Sequence, residues 1–298
     1  MMAYRSAHAL EMAVKDAAKN SEMDTGRAVS GFYFHRLLCR IFADGNDSFV
    51  LKGGQGMLAR TIDARATRDI DLISMRSDLE SALADLKRLA QKDLDDFVSF
   101  EYVDAHPIKV DDEYRSGVSV QFAPSIGAKR MQDISIDLVV DELPLESVEA
   151  ITPADRIEVR GIFTCDYLVY PVENALSDKL CAMAERHEGR ASSRVKDLVD
   201  IAVYATTCDV NGLKLQESLQ KELAVRRIGD VTAFAIPEEW DTGHARQFAK
   251  LCRQTGLPES FRALDSAAAL ASNLLDPALQ RTTGESYWNH AQLKWMKG

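Results

Sequence analysis

Leu51-Lys52-Gly53-Gly54-Gln55-Gly56-Met57-Leu58-Ala59, followed by Arg65-Ala66-Thr67-Arg68-Asp69-Ile70-Asp71-Leu72, is the stretch whose reading decides the fold. Ser48 to Leu51 is a short β-prone run that ends at Lys52, a two-glycine turn follows, and Met57-Leu58 opens a brief helix. Asp69 to Ile73 alternates acidic and apolar side chains over too few residues for a helix, so it reads as a strand. Asp69 and Asp71 then share one face, their Cβ atoms ~7 Å apart at ~3.3 Å per residue. Two carboxylates so placed can hold Mg²⁺. A glycine turn leading into a helix offers backbone N–H groups to phosphate.

Further along the chain, β-prone runs lie at Phe97 to Val103, Gly117 to Phe122 and Asp133 to Val140. The last of these puts Ile134, Ile136 and Leu138 on one face and Asp137 on the other, which supplies a third carboxylate. Three carboxylates suffice to hold two metal ions about a triphosphate and an attacking hydroxyl. Residues 46 to 145 therefore read as a mixed α/β sheet module, preceded by two helices that break near Asp24-Thr25-Gly26. From Val172 onward the pattern is helical: Val172 to Glu188, Ser193 to Thr207, Leu213 to Val225, Thr242 to Thr255 and Pro258 to Leu275, with no convincing strand. The expected class is α+β, with N-terminal helices and an α/β lobe over 1–170 and an all-helical lobe over 171–298.

With 298 residues, 46% apolar and 28% charged, the chain has the material for a full core. A formal charge of -10 excludes a nucleic-acid-coating protein, although from Thr242 to the end seven basic residues stand against four acidic ones. Five scattered cysteines without a C-x-x-C pair suggest neither a disulfide framework nor zinc. The six histidines have no ligand spacing. No signal-peptide core and no apolar run near the ~18 residues of a membrane span is present, so a cytoplasmic protein without membrane contact is expected. Gly54-Gln55-Gly56-Met57-Leu58-Ala59 matches a dinucleotide-binding fingerprint in letters alone, since Ile62 to Ala66 interrupts the helix and Asp69 arrives too early. Trp288 and Trp295 read as packing residues, although basic side chains interleave with them.

Lys52-Gly53-Gly54, Arg65-x-Thr67-x-Asp69-Ile70-Asp71, Asn174-x-x-x-Asp178-Lys179 and Arg194-x-Lys196-Asp197-x-x-Asp200 together resemble the AbiEii/MenT-like nucleotidyltransferase toxins of type IV toxin–antitoxin systems. These belong to the polymerase-beta-like nucleotidyltransferase superfamily, and the resemblance runs from Phe49 to Tyr204. It departs from the superfamily in having Gly54-Gln55 where Gly-Ser is frequent, and in a long gap before Asp69, features that suit the toxin branch.

The resemblance implies transfer of a nucleoside monophosphate from an NTP, a pyrimidine and first of all CTP, to the 3′ end of tRNA, blocking aminoacylation and translation. It implies Mg²⁺ on Asp69, Asp71 and Asp137, and a catalytic set of these three with Lys179, Asp197 and Asp200. Nucleotide contacts would fall to Lys52, Gly53, Gly54, Arg65, Thr67, Lys179, Arg194 and Lys196. A cognate antitoxin is implied, one that could act as a kinase on Thr67, where a phosphate would crowd the carboxylates with negative charge.

The residues leave alternatives open. The acceptor could be a protein hydroxyl or a small molecule, or the chain could be a non-catalytic binding module. Asp197 and Asp200, three apart on one helix, read as surface groups closing a cleft, whose loss costs rate rather than fold. Asp200 is preferred as the catalytic one because Arg194 and Lys196 would neutralise Asp197. Arg226-Arg227 and the basic residues after Thr242 are the expected RNA contacts.

Overall fold

The structure, a computed structural model, describes residues 3–76, 78–108, 115–141, 147–187 and 189–298. They divide into two compact units, one holding the chain to Ile62 and from Ala66 to Tyr170, the other holding Asp63–Arg65 and everything from Pro171.

The first unit begins with α1 (Ala7–Lys19) and α2 (Thr25–Phe42). Ser6 and Asp24 cap them, accepting hydrogen bonds from the Ala9 and Arg27 N–H groups at 3.2 and 2.9 Å, and Asp24 marks the break expected there. Then follow β1 (Phe49–Lys52), α3 (Gly53–Arg60), β2 (Asp69–Ser74), α4 (Leu79–Ala90), β3 (Val98–Pro107), β4 (Arg115–Ile126), β5 (Lys129–Arg130), β6 (Ile134–Asp141), β7 (Glu149–Ile151) and β8 (Tyr167–Val169). The described strands form one mixed sheet of order β3-β4-β6-β2-β1-β8-β7, with β5 paired to β4. β2 runs parallel to β6 and antiparallel to β1, while β1 is parallel to β8.

The period of two sorts the sheet's faces. Leu51, Ile70, Leu72, Ile136, Leu138, Val118 and Val120 belong to one buried cluster with Leu10 and Val14 of α1, Phe32 and Leu37 of α2, and Leu86 of α4. That face is the core. The other face carries the polar side chains of the same strands. Three charges lie inside the helical layer: Asp96 receives Arg36 Nε at 2.6 Å and Arg40 Nη2 at 2.7 Å, and all three residues are at most 2% exposed. A buried carboxylate survives only with such partners. Burial alone would raise its pKa, but Arg40 and Arg36 hold it below the usual aspartate value.

In the second unit α5 (Val172–Ala184), α6 (Val195–Thr207), α7 (Gly212–Val225), α8 (Thr242–Cys252) and α9 (Leu264–Leu279) predominate. Helix α6 is buried on nearly every side, from Val195 to Ala205 apart from Lys196, and is the centre of this unit. Contrary to the sequence pattern, strands also occur here: β9 (Arg186–His187) pairs β10 (Arg190–Ala191), and β11 (Val210–Asn211), β12 (Tyr287–Asn289) and β13 (Lys294–Met296) make a small sheet. Each is two or three residues long, too short for an alternation to register. Trp288 fixes the small sheet onto α6, fully buried and donating its indole N–H to the Ala205 carbonyl at 2.8 Å. Among the described residues no helix is long and apolar enough to cross a membrane.

Candidate active site

The polar face of the sheet assembles the first group of expected site residues. β1, β2, β6 and β4 are neighbours, and their registers place Lys52 opposite Asp71, Asp71 opposite Asp137, and Asp137 opposite Ser119. One row across four strands thus reads lysine, aspartate, aspartate, serine, with adjacent strands ~4.8 Å apart. Asp69 and Ser135 pair in the next row, and Ser135 Oγ lies 3.1 Å from Ser119 Oγ. Asp69 is exposed, whereas Asp71, Asp137 and Lys52 are partly buried. Two carboxylates that ionise side by side on neighbouring strands create a local negative field, which favours a cation or a hydrogen-bond donor between them.

The glycine turn abuts this row. Gly53 has φ +62°, and a Cβ built there would stand 1.8 Å from Asp71 Oδ2, so no side chain fits without displacing that carboxylate. A Cβ on Gly54 would come within 2.9 Å of both Cβ and Oγ1 of Thr67. The turn's backbone is therefore in direct contact with Asp71 and Thr67. Both glycines open α3, which brings the partial positive charge of a helix N-terminus to the carboxylate row. Thr67 donates its hydroxyl to the Asp69 carbonyl at 3.2 Å, fixing the loop that enters β2.

Hard oxygen donors in this arrangement have the chemistry that Mg²⁺ takes. Among the described residues, no three His, Cys, Asp or Glu side chains already close around one point. The donor set thus fits in type, with Asp71 and Asp137 in register and Asp69 one row away.

The second unit gathers another group of the expected residues. Lys179 on α5 reaches Asp200 Oδ2 at 2.7 Å and Asp197 Oδ1 at 3.3 Å. Arg65 grips Asp200 with two parallel bonds, at 2.9 Å to Oδ1 and 3.1 Å to Oδ2. Arg194 Nε meets Asp197 Oδ2 at 2.5 Å. Burial by itself would lower the pKa of Lys179, but Asp200 and then Asp197 outweigh it and raise it, so the ammonium keeps its proton. For Asp197 burial pushes upward and is overcome by Lys179 and Arg194, leaving the pKa below the ordinary aspartate value.

This geometry corrects two expectations. Asp197 and Asp200 are not surface groups: they are 2% and 1% exposed. Asp200 is also neutralised like its neighbour, taking Arg65 and Lys179 as Asp197 takes Arg194 and Lys179, which removes the reason for preferring it as a free catalytic carboxylate. Arg194 is placed on Asp197 and Lys196 is exposed. The RNA-contact expectation changes as well. Arg226 is enclosed by Glu222, Asp178 and Glu185 at 2.6, 3.4 and 3.1 Å, and so is committed within the protein. Arg246, Lys250 and Arg253, at and just beyond α8, are exposed as expected.

A polar network beside the turn escaped the sequence reading. Gln55, 1% exposed, donates to Asp155 Oδ2 at 3.1 Å, and Asp155 Oδ1 stands 3.2 Å from His35 Nε2. His35 Nδ1 in turn lies 3.0 Å from the Tyr167 hydroxyl. Only the position of Gln55, directly after the glycine turn, hinted at it.

No curated protein matches the chain. Of solved structures, MenT4, a nucleotidyltransferase toxin of Mycobacterium tuberculosis, is similar over 91% of this chain and 89% of its own, with 12% identity and a TM-score of 0.55, a likeness of fold. JHP933 of Helicobacter pylori is similar over 85% of this chain and 95% of its own, with 15% identity and a TM-score of 0.44. The family model for the nucleotidyl transferase AbiEii toxin of type IV toxin–antitoxin systems matches residues 36–270, a span that takes in the glycine turn, the acidic row and the Lys179 cluster. A sheet bearing that turn and row, within a match across most of the chain, places this protein in the AbiEii nucleotidyltransferase toxin family.

Proposed function

We propose that the protein transfers a nucleoside monophosphate from an NTP, with a pyrimidine and first CTP as donor, to the 3′ hydroxyl of an RNA, a tRNA acceptor end in particular. The observation that carries this reading is the in-register row of Lys52, Asp71 and Asp137, with Gly53 pressed against Asp71. The turn's N–H groups, the Thr67 hydroxyl and the Lys52 ammonium are suited to the β and γ phosphates. Asp69, Asp71 and Asp137 would hold Mg²⁺, which when bound neutralises triphosphate charge.

In the transfer the acceptor oxygen forms a bond to the α-phosphorus while the bond to the bridging oxygen breaks, and pyrophosphate leaves with the electron pair. The acceptor's proton passes to a carboxylate of the row, with Asp137 the choice because it faces Ser119 rather than the glycine turn. Arg65, Lys179 and Arg194 converge on the two carboxylates of Asp197 and Asp200. We assign the cluster the role of holding the Lys179 ammonium in one place for an anionic ligand, the two aspartates serving as positioning residues.

RNA as acceptor is supported by the exposed Arg246, Lys250 and Arg253. As the toxin partner of a pair, the protein would be silenced by a cognate antitoxin, and Thr67 is the hydroxyl whose phosphorylation would put ~2 negative charges on the phosphate side of the row. The test is to incubate the protein with each α-labelled NTP, Mg²⁺ and, separately, total RNA, a protein extract and a metabolite extract, and to identify the labelled product by mass. Label on RNA 3′ ends from CTP is expected. Label on protein or on a small molecule would reassign the acceptor, and no label anywhere would favour a non-catalytic module.

A further inference from the structure

Within the first unit a cavity of about 550 Å³ opens between α2, the start of α3 and the loops that lead into β2 and β6. Its volume lies in the range of small-ligand sites, ~300–1,000 Å³. It adjoins the glycine turn without belonging to the carboxylate row, because α2 covers the opposite face of the sheet. Thr67 is common to both places, touching Gly54 on one side and lining the cavity on the other.

Three observations bear on what the cavity takes. Its walls include Tyr33, Leu58 and Ile134, apolar surfaces that suit a flat ring. Its polar groups are of opposite kinds. The Asp155 carboxylate, 6% exposed, is pinned by Gln55, and its Oδ1 accepts no hydrogen bond among the described residues although His35 Nε2 stands nearby. The Arg27 guanidinium, a pure donor, lines the same space. The charges of the lining balance, Arg27 and Arg68 against Asp133 and Asp155, so the complementary ligand is neutral overall, with N–H donors on one edge and acceptors on another. Finally, Gly31 lies in the middle of α2 and lines the cavity, yet a Cβ there would meet nothing within 4 Å. Glycine in a helix interior is unfavourable relative to alanine, and no protein atom explains it. Space kept clear at a cost to the helix is space for an occupant.

We propose that this cavity binds a nucleobase, at a site separate from the phosphate turn and the carboxylate row. The base can come from a free nucleotide or from an unpaired residue of an RNA strand; both present the same flat ring with mixed edges. The site does not depend on the transfer reaction, so the two readings fail separately.

The test uses the full-length protein and ligands without a triphosphate: the four ribonucleosides and a short mixed-sequence oligoribonucleotide, followed by ligand-observed NMR. At least one nucleoside, or the oligonucleotide, is expected to bind with a Kd of ~1 mM or tighter. Binding of nucleosides identifies a free-nucleotide site, and binding of the oligonucleotide alone identifies a strand site. Gly31→Leu fills the cavity from a position with no protein neighbour, and should weaken binding at least tenfold while leaving the melting temperature equal to or above that of the wild type. Gly31→Ala, checked alongside, should melt higher than wild type and bind less weakly than Gly31→Leu. Asp71→Asn should abolish nucleotidyl transfer and leave nucleoside binding within twofold, and inorganic triphosphate should not compete. Absence of binding by every probe, binding unchanged in Gly31→Leu, or competition by triphosphate would overturn the proposal.

Discussion

Replacing Asp200 by alanine tests whether the Lys179 cluster is built as described. The carboxylate is 1% exposed and receives Arg65 at 2.9 and 3.1 Å and Lys179 at 2.7 Å. Its loss takes a carboxylate from two mostly buried cations, whose side chains are 16% and 12% exposed. Breaking a buried pair from one side costs ~3–5 kcal/mol. Lys179 keeps Asp197 at 3.3 Å, so the lower end, ~3 kcal/mol, applies. At ~2–4 °C per kcal/mol for a unit of this size, the melting temperature should fall by roughly 6–12 °C. Thermal unfolding of the full-length protein reads this directly. Asp71→Ala, at a partly buried position on the polar face, should cost less than Asp200→Ala under the same conditions. The double variant Arg65→Met, Asp200→Leu removes the charge together with its partner and should recover part of the loss. An Asp200→Ala protein that melts within ~2 °C of wild type would refute the buried cluster, and with it the reason for treating Asp200 as a positioning residue.

Four further outcomes follow from the same geometry. Asp96 and Asp197 have folded pKa values below the ordinary ~3.9 of aspartate, so each contributes stability that is complete above about pH 4 and lost as pH falls through the lower folded value. The melting temperature should hold between pH 7 and ~5 and drop steeply below ~4, and a protein as stable at pH 3 as at pH 7 would contradict this. Gly53→Ala places a methyl group on the Asp71 carboxylate, and transfer should fall by ~100-fold or more with the fold retained, as read by label transfer and circular dichroism. Thr67→Glu should suppress transfer where Thr67→Ser keeps it; full activity in Thr67→Glu would remove the phosphorylation model. Reversing the charge of Arg246, Lys250 and Arg253 together should weaken RNA binding and flatten its salt dependence, measured by filter binding across a salt series.

The short-range features were the legible ones. Alternation in Asp69 to Ile73 and in Ile134 to Val140 announced β2 and β6, and the glycine pair announced the turn, because each signal lies within a few residues. That Asp137 stands opposite Asp71 required the strand order, which sequence spacing does not encode. The buried charges were opaque for a related reason. Arg36 and Arg40 look like the wet side of an amphipathic helix until Asp96, far along the chain, is seen to meet them. Asp197 and Asp200 were misplaced in the same way: an i, i+3 acidic pair normally marks a solvated face, and only Arg65 and Lys179 arriving from elsewhere make its burial affordable. The cavity beside Thr67 left one trace in the sequence, a glycine at position 31 inside a helix that had no need of it.

The central claim is that the carboxylates of the polar sheet face carry out nucleotidyl transfer, and the most direct measurement is the initial rate of label transfer from α-labelled CTP, with Mg²⁺ and total RNA, by wild type, Asp71→Asn and Asp137→Asn, each first shown to melt within ~2–4 °C of wild type. Transfer by the wild type that drops at least ~1,000-fold in Asp71→Asn and substantially in Asp137→Asn is the predicted result. Transfer from no NTP by the wild type, or transfer that survives Asp71→Asn undiminished, would contradict it.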